Sequence, residues 1–457
     1  MNPSELAAAL RVHPLIAEVL LCRGCDTPEA ARAFLDPNAY TPTDPLALPN
    51  MACAVHVLRE AIAQQRRLRV WGDFDADGQT ATAVLLIGLR AMGAQVDFTI
   101  PDRARHGHGL NEEGIVQAAE ADVELLITCD CGIADVERVA LAQQHGMSVI
   151  VTDHHDIARD AAGRIRLPPA AAVLNPKLLD ADHPFATLPG VGVAWLLVAA
   201  LARSIAATFD PLALLDLVAI GIVADVAIQR KEARYLLQRG LQQLRRQPRL
   251  GVRALMRSAG VEPSALTEDT IAFKLAPRLN AAGRLRTADL GVRLLISQDE
   301  TEAAILASEI EALNLERQTL QQRVEQEALA MLAQDPSLAE DAVIVLYSTT
   351  WPPSLLGVAA SAVVGATGKP AILIAGQPGE VARASARSVE GVDIHAAIAA
   401  QSHLIEGGGG HPMAAGFHIR LERISAFREA INREVARQLA ARGEPPPLAE
   451  TFPVAWR

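Results

Sequence analysis

Residues 69–86 read RVWGDFDADGQTATAVLL and set Asp73, Asp75 and Asp77 at alternate positions, between a short apolar run and a helix-like one. Three carboxylates this close repel one another, so a fold that gathers them needs a compensating positive charge. Hard divalent cations supply it through carboxylate oxygens, and imidazole among the ligands shifts the preference towards Mn²⁺-like ions. Two such ions sharing a carboxylate form a clamp for phosphoryl transfer. More donors follow: TCDCG offers Asp130 before Gly132, VTDHHD offers Asp153, His154 and His155, and the apolar run LLDLVAIGIVADVA is broken by Asp225. A single Asp after a strand usually caps a helix, which fits Asp130 or Asp153 taken alone. Asp225 alone fits a pair with a neighbouring Arg. The alternating triplet with a paired His exceeds what caps require and points to a metal centre.

These donors need elements that bring them together. Short apolar runs at 68–72, 95–100, 123–129, 148–152 and 170–175 alternate with helical patterns near 79–92, 111–121 and 135–145. That alternation predicts an α/β fold with a largely parallel sheet covered by helices, its strands buried on both faces. In such sheets ligands gather where strands end and loops enter helices. The acidic motifs occupy those ends. Residues 1–50 read as short helices and a Pro-rich connector, and 188–334 as mostly helical, closing in a long charged pattern suited to a connector. A second α/β segment runs from DAVIVLYS through PAILIAG and GEVARASARS to GGGGHPMAAGFHI, with an amphipathic helix at about 421–442. The reading is therefore an N-terminal segment (1–50), a catalytic domain (51–300), a connector helix (301–338), a smaller α/β domain (339–445) and a loose tail (446–457).

Composition sets bounds. Half of the 457 residues are hydrophobic, enough for sizeable cores. No run approaches a membrane span, and the N-terminus reads as an amphipathic helix rather than a signal peptide. Five scattered Cys make no disulfide framework and fit a reducing cytoplasm. A net charge of −11 argues against a globally basic nucleic-acid wrapper. Lys occurs only at 177, 231, 274 and 369, so the cations are nearly all Arg, which suits phosphate contacts and equally fits compositional bias.

In order, GDFDADGQTAT, TCDCGIAD, VTDHHD and LVAIGIVADV resemble the four motifs of the DHH phosphoesterase superfamily, nearest to its single-strand-specific exonucleases. IPDRARHGHGLN, VLNPK, HPFATLPGVGVAWLL, FKLAPRLNAAGRL and LNLERQ extend the likeness, and ARASARS with GGGGHPMAAGF resembles the DHH-associated domain. The resemblance implies that Asp73, Asp75, Asp77, Asp130, His154 and Asp225 hold two Mn²⁺ or Mg²⁺ ions. It implies that Asp153 orients this shell and that His155 touches the scissile phosphate or a bridging oxygen. Arg103, Arg278, Asn280, Ser385 and Arg387 would grip the 5′ phosphate and backbone. Glycines 407–410, Gly409 and Gly410 among them, either let backbone N–H groups approach an anion or simply form a flexible turn. The resemblance implies that His411 reaches the same phosphate across a cleft between the domains. The implied activity is a 5′-to-3′ exonuclease on single-stranded DNA that releases 5′-mononucleotides. Single-strand-binding or repair proteins are its implied partners.

Pro352, Ser354 and Ala362 stand where relatives carry His, Gly and Arg, and the chain stops soon after the second domain, where relatives continue into an OB-fold. A weaker grip on long DNA is therefore expected. Two rivals remain: a phosphodiesterase of short oligonucleotides or cyclic dinucleotides, and a non-catalytic replication scaffold. Cys22 and Cys25 form a CxxC that reads as structural, and Cys129 and Cys131 read as packing. The stretch 229–257, with nine basic residues against one Glu, could line a nucleic-acid channel or form a solvated helical face.

Overall fold

The computed structural model describes residues 1–103, 105–160 and 163–441; the expected loose tail, 446–457, lies outside them. The chain divides into two compact units, 1–314 and 315–457.

The first unit opens with α1 (Pro3–Leu10), α2 (Pro14–Cys22) and α3 (Pro28–Leu35). Each starts on a proline, whose missing N–H costs nothing there, and each is capped by the preceding side chain of Asn2, His13 or Thr27. Helix α4 (Met51–Ala63) leads into alternating strands and helices: β1 (Arg67–Trp71), α5 (Ala76–Ala91), β2 (Gln95–Thr99), α6 (Glu112–Glu120), β3 (Leu125–Cys129), α7 (Val136–Gln144), β4 (Ser148–Thr152) and β5 (Ala172–Leu174). All pairings in this sheet are parallel, in the order β2-β1-β3-β4-β5. Successive residues alternate between two cores. Leu125, Ile127 and Cys129 pack with α5 on one face, and Leu126 packs with α6 and α7 on the other. The rest is helical, as expected: α8 (Gly190–Ser204), α9 (Leu215–Ala224), α10 (Lys231–Arg246), α11 (Leu250–Ser258), α12 (Glu268–Thr270), α13 (Ala276–Leu285), α14 (Asp289–Ile296) and α15 (Glu300–Gln334), the last of which crosses into the second unit.

The basic stretch 229–257 is largely tied down. Arg249 bonds the fully buried Asp216 through Nε at 2.7 Å, Arg234 lies 3.7 Å over the Phe34 ring, and Arg245 donates to the Leu266 carbonyl. These contacts assign many of its cations to holding helices together. Cys25, Cys129 and Cys131 are buried and all five cysteines are free thiols, in keeping with the packing reading.

In the second unit, after α16 (Ser337–Glu340), come β6 (Ile344–Ser348), α17 (Leu356–Thr367), β7 (Ala371–Ala375), β8 (Val381–Arg387), α18 (Ile394–Ala399), β9 (Gly408–His411), β10 (Ala414–Arg420) and α19 (Ile424–Ala441). Its sheet runs β6-β7-β8-β10-β9, with only β6 and β7 parallel. One face packs on α18 and α19, the other on α17 and the end of α15. Among the described residues no helix is long and apolar enough to cross a membrane.

Candidate metal centre

The sheet order makes β1 and β3 neighbours whose connections depart towards opposite edges, which creates a crevice at their carboxyl ends. Asp73, Asp75 and Asp77 follow β1 and Asp130 follows β3, so both banks of the crevice are acidic. Asp153, His154 and His155 follow the next strand, β4. Asp225 arrives separately, as the residue that ends α9.

Helix α5 begins three residues earlier than the sequence pattern suggested, because Asp75 is its N-cap and accepts the Gly78 N–H at 3.0 Å. Asp77 therefore lies in the first helical turn, pointing at the N-terminus of α8, where Gly190 and Val191 donate their backbone N–H groups to its two oxygens. Asp130 adopts φ +60°, a left-handed conformation that Asp tolerates better than most residues. Asp73, Asp77, Asp130 and Asp153 are each no more than 3% exposed.

His154 Nε2 stands 3.0 Å from Asp130 Oδ1 and 3.9 Å from Asp77 Oδ2, while its Nδ1 lies 3.8 Å from Asp225 Oδ2. Three sets of donor atoms each lie within 4.8 Å of one another: Asp73, Asp75 and Asp130; Asp77, His154 and Asp225; and Asp130, His154 and His155. Asp130 and His154 are shared between sets. Asp153 is occupied differently. One of its oxygens accepts from His154 N, His155 N and His155 Nδ1, and the other from Ile133 N.

Titration behaviour follows from this crowding. Burial raises the carboxyls of Asp77 and Asp130 well above the ordinary range, and the neighbouring carboxylates add to it. Asp75 shifts upwards for the same reasons, and Asp225 is pushed up to about 7 by burial and then by Asp75. Burial also acts on Asp153, but the hydrogen bonds it accepts from His155 and Ile133 outweigh it and hold that carboxyl at about 2. His154 is lowered to about 4 by burial and by the adjacent His155, so its ring is neutral and able to ligate.

A divalent cation fits this donor set on two grounds. Asp130 Oδ1 is buried and makes no hydrogen bond, His154 Nε2 approaching it without the required alignment. The carboxylates also cannot all ionise together unless positive charge enters. Oxygen donors with one or two imidazoles match Mn²⁺ or Mg²⁺.

Sequence reasoning passed over His108. Its Nδ1 lies 3.0 Å from Asp73 Oδ1, and that hydrogen bond outweighs burial to lift the imidazole to about 9. Its ring meets His155 edge-on at 5.2 Å. The motif RARHGHGLN held the signal, but nothing in its spacing separates His108 from His106. Asp135 anchors this loop by accepting the Leu110 N–H at 2.8 Å.

The expected substrate-contacting residues divide between the units. In the first, Arg103 lies 4.6 Å over the Phe74 ring. Asn280 Oδ1 accepts the Ala76 N–H at 2.8 Å, and the Arg278 guanidinium forks onto Glu311, with Nη2 to Oε1 at 3.1 Å. In the second, Ser385 and Arg387 share one face of β8, 3.2 Å apart, and Gly409, Gly410 and His411 lie exposed on the edge strand β9. Pro352 precedes a 3₁₀ turn (Pro353–Leu355), beside a buried Trp351 whose indole donates to Glu327.

Fold and site together define the class. The DHH family, N-terminal domain, matches residues 67–222, and the DHHA1 domain matches 340–437. Single-stranded-DNA-specific exonuclease RecJ of Bacillus subtilis is 38% identical over 94% of this chain and 53% of its own length. RecJ of Haemophilus influenzae is 34% identical over 93% of this chain and 75% of its own. The crystal structure of Thermus thermophilus RecJ with Mn²⁺ superposes with a TM-score of 0.83 at 33% identity, covering 95% of this chain and 61% of that one. The chain belongs to the RecJ family. It spans about half the length of the Bacillus relative.

Proposed function

We propose that this chain is a two-metal-dependent exonuclease that acts on single-stranded DNA from the 5′ end and releases 5′-mononucleotides. The observation that carries the reading is the set of overlapping donor groups at the β1–β3 crevice, with the Asp130 oxygen left unbonded. The RecJ relatives, one of them solved with Mn²⁺, support it.

In this reading Asp73, Asp75, Asp77, Asp130, His154 and Asp225 would together hold the two ions. Mn²⁺ or Mg²⁺ would supply charge neutralisation at the phosphate and an activated water. Asp153 fixes the tautomer and direction of His155, whose imidazole is raised in pKa because its hydrogen bond to Asp153 outweighs burial. His155, held by Asp153 beside Asp130 and His154, would donate to a phosphate oxygen at the crevice. Arg103, Arg278, Asn280, Ser385, Arg387, Gly409, Gly410 and His411 contribute to holding phosphates. Residues 51–300 form the catalytic domain and 339–445 the substrate-binding one. Five free thiols fit a reducing cytoplasm, where single-strand-binding or repair proteins would be the natural partners.

The test is a product ladder from end-labelled single strands with Mn²⁺ or with EDTA. Mononucleotides should appear stepwise from the 5′ end in Mn²⁺ alone, and D130A and H154A should release none. Turnover in EDTA, or wild-type rates in either variant, would refute the assignment. Cleavage confined to dinucleotides would instead indicate a short-oligonucleotide phosphodiesterase.

A further inference from the structure

Among the described residues Phe273 is the one exposed aromatic side chain, at 77% exposure. It sits in a π-helical turn, Ile271–Leu275, between α12 and α13; such turns concentrate at functional sites. Val226 is 87% exposed and held at φ +56°, where a β-branched residue is strained. Both line a cavity of about 390 Å³, within the range of small-ligand sites. Its other apolar lining includes Val223, Ala224, Ala272 and Pro277, and its polar lining includes Gln229, Glu268 and Asp269.

The cavity adjoins the metal centre. Ala224 and Val226 flank Asp225, and Asn280, which also lines the cavity, bonds the backbone of Ala76 between Asp75 and Asp77. Two carboxylates in this lining repel a phosphate. They accept hydrogen bonds well from an amino group on a flat apolar ring. A nucleobase has that chemistry, and a backbone does not.

We propose that this cavity receives the unstacked base of a nucleotide whose phosphate lies at the metal centre, with Phe273 as its stacking face and Gln229, Glu268 and Asp269 along its edge. The proposal rests on the exonuclease reading above and adds to it a physical source of single-strand selectivity, because a paired and stacked base is not free to enter. Cytosine, adenine and guanine, which carry exocyclic amino groups, are favoured over thymine.

The test uses the full chain and 5′-phosphorylated strands with one abasic site walked through the first three positions. One position should slow the wild type about tenfold, the scale of a lost base–aromatic contact. F273A should lose a similar factor on the unmodified strand and nothing further at that position, while F273W retains the rate. In E268Q/D269N the preference for oligo(dC) over oligo(dT) should shrink. Fluorescence anisotropy in EDTA reads the same contact without turnover, and F273A should bind the strand about tenfold more weakly. A wild type inactive in Mn²⁺ would defeat the exonuclease reading, and the anisotropy would still decide the base site. Unchanged binding in F273A, or an equal loss at every abasic position, would overturn the proposal.

Discussion

Gly190 donates its backbone N–H to Asp77 across 2.7 Å, although 113 positions separate the two residues. The N-terminus of α8 thereby neutralises part of a buried carboxylate and fixes where it points. Gly190 also has no room for a side chain, since a Cβ there would stand 2.7 Å from Asp130 Cβ and Oδ1. One glycine thus sets the spacing between candidate ligands that follow two different strands. G190A should push Asp130 aside and weaken Mn²⁺ binding about ten- to a hundredfold, the usual cost of disturbing groups that orient ligands. Calorimetric titration measures this, and wild-type affinity in G190A would contradict it.

The raised carboxyls give the metal-free protein an unusual pH response. Asp225 has a folded pKa of about 7 against an ordinary value near 4, so between them the folded state holds more protons than the unfolded one. Stability in EDTA should therefore fall as pH rises from about 5 to 7. His108, raised to about 9, adds a loss in the same direction between its ordinary value and 9. Asp153, at about 2, has the opposite sign but titrates below this window. His154, lowered to about 4, opposes the trend up to its ordinary value near 6.5, but it is outnumbered by Asp75, Asp77 and Asp130, which are raised along with Asp225. Saturating Mn²⁺ should reverse the trend, because binding releases those protons and tightens with pH. Melting midpoints at several pH values with and without Mn²⁺ test this, and parallel curves would count against a cation at this cluster.

How far the sequence carried this site depended on what local pattern can encode. Strand ends are visible as apolar runs that stop at Asp or Gly, so Asp73, Asp75, Asp77, Asp130 and the Asp153–His155 run could all be assigned to one edge of a sheet. Asp225 was legible because an acid interrupts an otherwise apolar helix. The contacts that turn donors into a site are long-range and leave no periodic trace. His108 sits in a loop without periodicity, Asn280 caps the start of α5 from 204 positions away, and Gly190 is one glycine among 31. Phe273 was illegible for a different reason: in an amphipathic pattern an aromatic residue reads as core, and only the π turn exposes it.

His108 offers a separation between charge and ligation. As an imidazolium beside Asp73 it supplies, before any cation binds, some of the positive charge that the cluster lacks. H108A should therefore lower the melting midpoint in EDTA more than in Mn²⁺. It should also slow hydrolysis about ten- to a hundredfold by releasing Asp73 from its orientation. Equal destabilisation in both conditions would mean that the ring serves packing alone.

Arg278 tests whether a residue implied by family likeness to grip phosphate is available to do so. Its guanidinium forks onto Glu311, and both side chains are mostly buried, at 13% and 22% exposure. Asn280, two residues on, is likewise committed, to the first turn of α5. R278A leaves the Glu311 charge without its partner in a partly desolvated position and should cost about 1–3 kcal/mol of stability, below the full penalty for a deeply buried pair. The double variant R278A/E311Q should recover part of that loss, because it removes the stranded charge as well. E311Q alone frees the guanidinium while keeping it cationic, so it should tighten binding of a 5′-phosphorylated strand if Arg278 reaches that phosphate. Urea unfolding and strand anisotropy on the three variants separate the roles. Additive stability losses would show that the pair is not coupled, and unchanged affinity in E311Q would leave Arg278 with a structural duty only.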